Sequence, residues 1–224
     1  MRSRSKKLVL SAMGTGLRIG IDFDNTMINY DNVFCAAARR SGLIGSNVSR
    51  RKQDVRDAVR KLPDGEITWQ RLQGQVYGKG IAEAAMVAGV KTFLRRCCVE
   101  RCMVAVVSHK TEYGHYDSDR VNLRKAALDW MLAEGLFDGD YGISLGNVYF
   151  ESTRAEKLER IAVLGLTHFI DDLKEVLADP DFPPSVKRIL FADEVQPQPT
   201  SYITCSTWSE IEKQVFGGAA FART

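Results

Sequence analysis

Short apolar runs rich in β-branched residues alternate along this chain with longer stretches of helical periodicity. That alternation restricts the fold more than any other feature. RIGI (18–21), CMVAVVS (102–108), NVYF (147–150), THFI (167–170), RILF (188–191) and YITC (202–205) read as strands. Helical periodicity fills the gaps. Residues 32–61 hold two helices, the first stopping near Gly42 and Gly45, the second capped by Ser46 or Ser49. ITWQRLQGQVYG (67–78) and IAEAAMVAGVKTFLRRC (81–97) continue the helical pattern, broken by Gly78 and Gly80. RVNLRKAALDWMLAEGL (120–136) follows, capped by Ser118 or Asp119, then TRAEKLERIAVLG (153–165), LKEVLAD (173–179) and WSEIEKQVF (208–216). Strands and helices in alternation predict an α/β fold, a doubly wound parallel sheet with helices on both faces. Residues 1–17 read as a basic lead-in and 217–224 as a loose tail.

In such a sheet, ligands sit beyond the carboxyl ends of the strands. Those ends carry Asp22 and Asp24 after the first strand, Ser108 at the end of the second, and Asp171 with Asp172 after the fourth. Four converging carboxylates repel one another, and a cation relieves the repulsion. Oxygen donors without His or Cys favour a hard ion such as Mg²⁺, which keeps waters and recruits one or two carboxylates plus a substrate phosphate. The expected metal set is therefore Asp22, Asp24, Asp171 and Asp172, and the expected substrate carries phosphate. Asp22 is placed to attack phosphorus and form an aspartyl-phosphate. Asp24 is placed to protonate the leaving oxygen and then to activate water. Ser108 would donate to a phosphoryl oxygen, and Lys157 would neutralise charge spreading over the transferring group.

The segment IGIDFDNT (19–26) is similar to the first motif of the haloacid dehalogenase (HAD) superfamily, an apolar strand followed by D-x-D-x-T. VAVVS (104–108) resembles the second motif, a strand ending in Ser or Thr. Lys157 is placed like the third-motif lysine, and THFIDD (167–172) resembles the fourth motif, a strand ending in paired acids. The four come in the family's order across about residues 18–175. The resemblance implies a Rossmann-like HAD core from residues 18–30 and 91–216, with a small helical cap, 31–90, inserted after the first strand. It implies that the first and fourth motif strands are neighbours, so that Asp22 and Asp172 share one metal with the backbone carbonyl of Asp24. It also implies that Asn25 and Thr26 shape the substrate loop. Asp24 favours phosphoryl transfer over dehalogenation. Lys157 lies closer to Asp171 than in many relatives, which makes Lys110 a second candidate for its electrostatic role.

The function expected is a Mg²⁺-dependent phosphatase for a small phosphomonoester, a sugar phosphate or a nucleotide. The alternatives are a phosphomutase or phosphotransferase using the same aspartyl-phosphate, or a phosphate-binding protein without turnover. Around the site, HKTEYGHYD (109–117) gathers His109, Lys110, Tyr113, His115 and Tyr116 on one loop as candidate substrate contacts, with a polar surface loop as the plainer reading. Arg39–Lys61 holds eight Lys or Arg and two Asp, an excess that reads first as a solvated helix face and second as an attractor for an anionic substrate. Trp69, Tyr77 and Trp130 fall at helical spacings and read as core. His168, inside a strand, reads as structural.

Composition excludes other classes. The net charge of +3 is too small a footprint for a nucleic-acid binder, and none is expected as a partner. No apolar run approaches the roughly 20 residues of a membrane span. Five cysteines, without paired zinc spacing, read as reduced thiols in a cytoplasmic protein, with Cys97, Cys98 and Cys102 as packing residues.

Overall fold

A computed structural model describes residues 16–193 and 201–217. The first fifteen residues of the lead-in, the Pro-rich stretch 194–200 and the tail from 218 lie outside the described residues. The sheet has six strands in the order β5-β4-β1-β6-β7-β8. These are β1 (Arg18–Ile21), β4 (Met103–His109), β5 (Ile143–Glu151), β6 (His168–Asp171), β7 (Lys187–Phe191) and β8 (Ile203–Cys205). Every neighbouring pair is parallel. The chain starts in the middle, builds outward through β4 and β5, and returns to the other side of β1 with β6. The reversal at β1 is the switch point where a crevice opens beyond the strand ends.

Helices α4 (Val90–Val99), α5 (Leu123–Ala133) and α8 (Trp208–Phe216) cover one face, and α6 (Arg154–Val163) with the single turn α7 (Lys174–Leu177) cover the other. Period-two alternation sorts the strand residues between them. Ile19, Ile21, Val104, Val106, Ile170 and Ile189 face the first layer. Ala105, Val107, Phe169 and Leu190 face the second. Both faces are dry, which is why these strands read as continuous apolar runs.

Between β1 and β4 the chain leaves the sheet. Its helices α1 (Asp31–Arg40), α2 (Lys52–Arg60) and α3 (Gly65–Tyr77), with a 3₁₀ turn at Lys79–Glu83, form the cap layer. Two linkers carry it, paired antiparallel as β2 (Ile28–Asn29) and β3 (Ala85–Met86). The helical pattern expected across 81–97 therefore holds only from Val90. Its first part closes the linker ribbon instead, because Ala85 and Met86 have backbone partners in β2. Gly89, at φ +95, starts α4, where a β-carbon would come within 2.8 Å of the Trp208 side chain.

Two expected helix caps are corrected. Arg51, not Ser46 or Ser49, precedes α2, and the Ser49 hydroxyl is occupied by the Asp54 carboxylate. Asn122, not Ser118 or Asp119, caps α5 by accepting from the Lys125 amide. The 109–121 loop thus runs further than its polar composition indicated. Cys97 and Cys102 are buried, and no cysteine among the described residues forms a disulfide. Among the described residues, no helix is long and apolar enough to cross a membrane.

Candidate active site

Asp22 is the first residue beyond β1, and its amide still donates to the Ile170 carbonyl at 2.8 Å, so the sheet ladder fixes it. Asn25 then turns the chain at φ +58. Phe23 is buried against Trp130 and Phe150, which leaves Asp22 and Asp24 together on the cavity side. Asp171 closes β6 and is fully buried, its Oδ1 accepting from the Leu173 amide at 2.9 Å. Asp172 follows, and its Oδ2 accepts from the Asn25 side-chain amide at 3.3 Å.

Lys157 reaches this group from the first turn of α6. Its place depends on a capping box. The Thr153 hydroxyl accepts from the Glu156 amide, and the Glu156 carboxylate accepts from the Thr153 amide, each at 3.1 Å. That box sets where the helix starts, and hence which residue faces the strand ends. The Lys157 ammonium donates to Asp22 Oδ1 and Asp171 Oδ2, both at 2.6 Å. Lys110 sits just past β4 and does not duplicate this role. Its ammonium donates to both oxygens of Asp24, at 3.0 and 2.8 Å, while the Tyr30 hydroxyl donates to Asp24 Oδ1 at 2.8 Å.

Of the four residues expected at the cation, three bring their carboxylates together. Oxygens of Asp22, Asp171 and Asp172 lie within 4.8 Å of one another. The Asp24 carboxylate stands apart from that group because Lys110 and Tyr30 hold it. Burial pushes the Asp22 carboxyl up, Lys157 pulls it down, and Asp171 and Asp24 push it up again, leaving it at about 7. Burial first, then Asp22 and Asp171, hold Asp172 well above the ordinary carboxylate range. Burial works to lower the Lys157 pKa, but the two carboxylates outweigh it and raise it. Burial and Asp24 raise Tyr30 well above an ordinary phenol. Three clustered acids, with no His or Cys among them, fit a hard divalent cation.

A cavity of about 420 Å³ opens over this floor. Asp22, Asp24, Asn25, Ser108, His109 and Lys110 line it, as do His115, Lys157 and Asp172. Asp171 lies beneath, bonded to Lys157. Three expected contacts are placed elsewhere. Thr26 is fully buried under the loop, with its carbonyl accepting from the Trp208 indole at 3.2 Å, so its hydroxyl does not face the cavity. Tyr113 is exposed, with the Arg120 guanidinium 5.0 Å from its ring. Tyr116 is exposed beside Arg71. Tyr77 packs against the core as expected, edge-on to Tyr30 and Phe34, and also lines the cavity wall.

The cap supplies residues that the sequence reading missed: Lys52 from α2, and Gln70, Gln73 and Tyr77 from α3. Their signal was helical phase. Lys52, Val55 and Val59 follow i, i+3, i+7, which puts the lysine on the buried stripe of an otherwise solvated helix. Gln70, Gln73 and Tyr77 repeat the same spacing along α3.

No protein-family model and no curated protein matches the sequence. Solved structures do match its fold. A haloacid dehalogenase-like family hydrolase from Streptococcus pneumoniae superposes with a TM-score of 0.60 at 13% identity, over 90% of this chain and 99% of that one. A predicted phosphoglycolate phosphatase from Haemophilus somnus gives 0.53 at 17%, over 90% and 99%. A dehalogenase in an intermediate complex gives 0.51 at 12%, over 92% and 99%. The chain has the HAD-like hydrolase fold, an α/β Rossmann-like sheet.

Proposed function

We propose that this chain is a Mg²⁺-dependent phosphatase that hydrolyses a small phosphomonoester through an aspartyl-phosphate on Asp22. The observation that carries the reading is the common cavity of Asp22 and Asp24, with Lys157 and Ser108 at the same strand edge. A dehalogenase shares the fold. The second carboxylate, Asp24, favours phosphoryl transfer, because an ester oxygen needs a proton on leaving and a halide does not.

Asp171 has both oxygens committed, to Lys157 and to the Leu173 amide, so Asp22 and Asp172 are the pair left to hold the cation. A bound Mg²⁺ would neutralise phosphoryl charge and lower the repulsion met by an attacking carboxylate. An oxygen of Asp22 attacks phosphorus. The Asp22–phosphorus bond forms as the bond to the leaving oxygen breaks, and Asp24 gives that oxygen its proton. Asp24 then takes a proton from water, the water oxygen bonds to phosphorus, and the Asp22–phosphorus bond breaks. Lys110 and Tyr30 hold the Asp24 carboxylate in one orientation throughout. Lys157 and the Ser108 hydroxyl stabilise the charge on the transferring group.

The test is release of phosphate from p-nitrophenyl phosphate with Mg²⁺ and with chelator. Asp22→Asn is expected to lower the rate by about 10³-fold or more, and chelation to abolish it. Full activity in the variant would exclude Asp22 as nucleophile. Free phosphate measured against transfer to added glycerol separates hydrolysis from phosphotransfer.

A further inference from the structure

Among the described residues, three lysines face the cavity, and two of them have an acid at ion-pair distance. Lys157 has Asp22 and Asp171 at 2.6 Å, and Lys110 has Asp24 at 2.8 Å. No carboxylate among the described residues lies within ion-pair distance of the Lys52 ammonium. Its surroundings are aromatic instead: the ammonium is 5.5 Å from the Phe34 ring centre and 5.4 Å from that of Tyr77, whose neutral hydroxyl is its hydrogen-bond partner. The position is built. The Lys52 amide donates to Asp31 Oδ1 at 3.0 Å, which ties the start of α2 to the start of α1. A half-buried ammonium between two rings, facing a cavity without a direct counter-ion, is an arrangement that an incoming anion completes.

The origin of each group decides which anion. Ser108 and Lys157, suited to the transferring phosphoryl, belong to the core. Lys52 comes from the cap, with Gln70 and Gln73, whose amides suit hydroxyl or carbonyl oxygens on the same wall. We infer that Lys52 receives a second anionic group on the substrate, a carboxylate or a further phosphate carried by the leaving group. This deepens the phosphatase reading and rests on it for the word substrate. Burial works to lower the Lys52 pKa, but Tyr77 first, through its hydroxyl, and then Asp172 and Asp24 raise it, so the group stays a cation and acts by charge.

Phosphonates that cannot be hydrolysed test the subsite apart from turnover. Calorimetric titration in Mg²⁺ compares propylphosphonate with 3-phosphonopropanoate and propane-1,3-diphosphonate. The wild-type protein is expected to bind one or both of the doubly anionic ligands about tenfold more tightly, as one charge-assisted hydrogen bond supplies. The arm that gains identifies the second group as carboxylate or phosphate. Lys52→Gln should bring the ratio close to one, and Lys52→Arg should keep it. Equal affinities in the wild type, or a ratio retained by a folded Lys52→Gln protein, would overturn the inference. A parallel loss for all three ligands would instead put Lys52 on the transferring group and overturn it equally. Failure to release phosphate from any ester would sink the phosphatase reading and leave this ratio standing as a separate result.

Discussion

Asp22 titrates at about 7 in the folded chain, against 3.8 for an ordinary aspartate. Between these values the folded state binds more protons than the unfolded state. The contribution of this group to stability therefore falls as pH rises from about 4 to about 7, and Asp172, also raised, adds a slope of the same sign. A divalent cation takes the ionised carboxylates, so its binding below pH 7 releases protons. The melting-temperature gain on adding Mg²⁺ should accordingly grow from about pH 5 to about pH 7. A gain independent of pH would mean that the cation binds elsewhere. Lys157 gives the complementary case. Its ammonium answers two buried carboxylates, and Lys157→Met would leave both without it. In chelator at about pH 8 the loss should be about 3–5 kcal/mol by urea unfolding, shrinking at lower pH as Asp22 takes up a proton. A loss below about 1 kcal/mol at both pH values would show that the two carboxylates do not depend on it.

At the scale of elements, the cap meets the core where α3 crosses the loop after β4. A β-carbon on Gly114 would stand 2.6 Å from the Cα of Gly74 in α3. The two backbones touch with no side chain between them. Gly114→Ala must push α3 and the loop apart, at a cost of about 1–3 kcal/mol. The amides of α3 should then exchange faster with deuterium while those of β1 and β6 stay protected. Unchanged exchange in α3 would show that the contact does not hold the cap. Because Gln70, Gln73 and Tyr77 ride on α3, the same crossing positions the cap wall of the cavity. Loop and helix were each legible in the sequence, but their contact was not. Two glycines separated by 39 intervening residues carry no pattern that pairs them.

Across the whole molecule, one apolar cluster runs without a break from the sheet into the cap. It joins Ile19, Ile21 and Trp208 of the core to Phe34, Val55 and Trp69 of the cap. The ring contacts continue it, with Phe34 stacked on Trp69 at 4.9 Å and Phe93 against Trp208 at 5.0 Å. A shared core predicts that cap and sheet unfold together. Fluorescence of a protein keeping only Trp69 and one keeping only Trp208 should give coincident urea midpoints, each set against the far-ultraviolet dichroism of the same variant. A lower midpoint for Trp69 would show that the cap opens as a unit of its own. The second cluster, under α6 and α7, is separated from the first by the sheet and supports the strand ends from the other side.

The alternation of apolar runs with helical stretches determined the sheet, its parallel sense and the edge at which Asp22, Asp24, Ser108 and the Asp171–Asp172 pair emerge, because period and strand-end position are local properties of a chain. The helical pattern across 153–165, together with the motif resemblance, likewise put Lys157 ahead of the fourth strand. Only the tertiary structure decided which charge answers which. It gave Lys157 to Asp22 and Asp171, and Lys110 to Asp24, and it left Lys52 facing the cavity with no acid among the described residues at ion-pair distance. Those pairings depend on where side chains from distant segments end within a few ångströms of one another, and no local periodicity records distances of that kind.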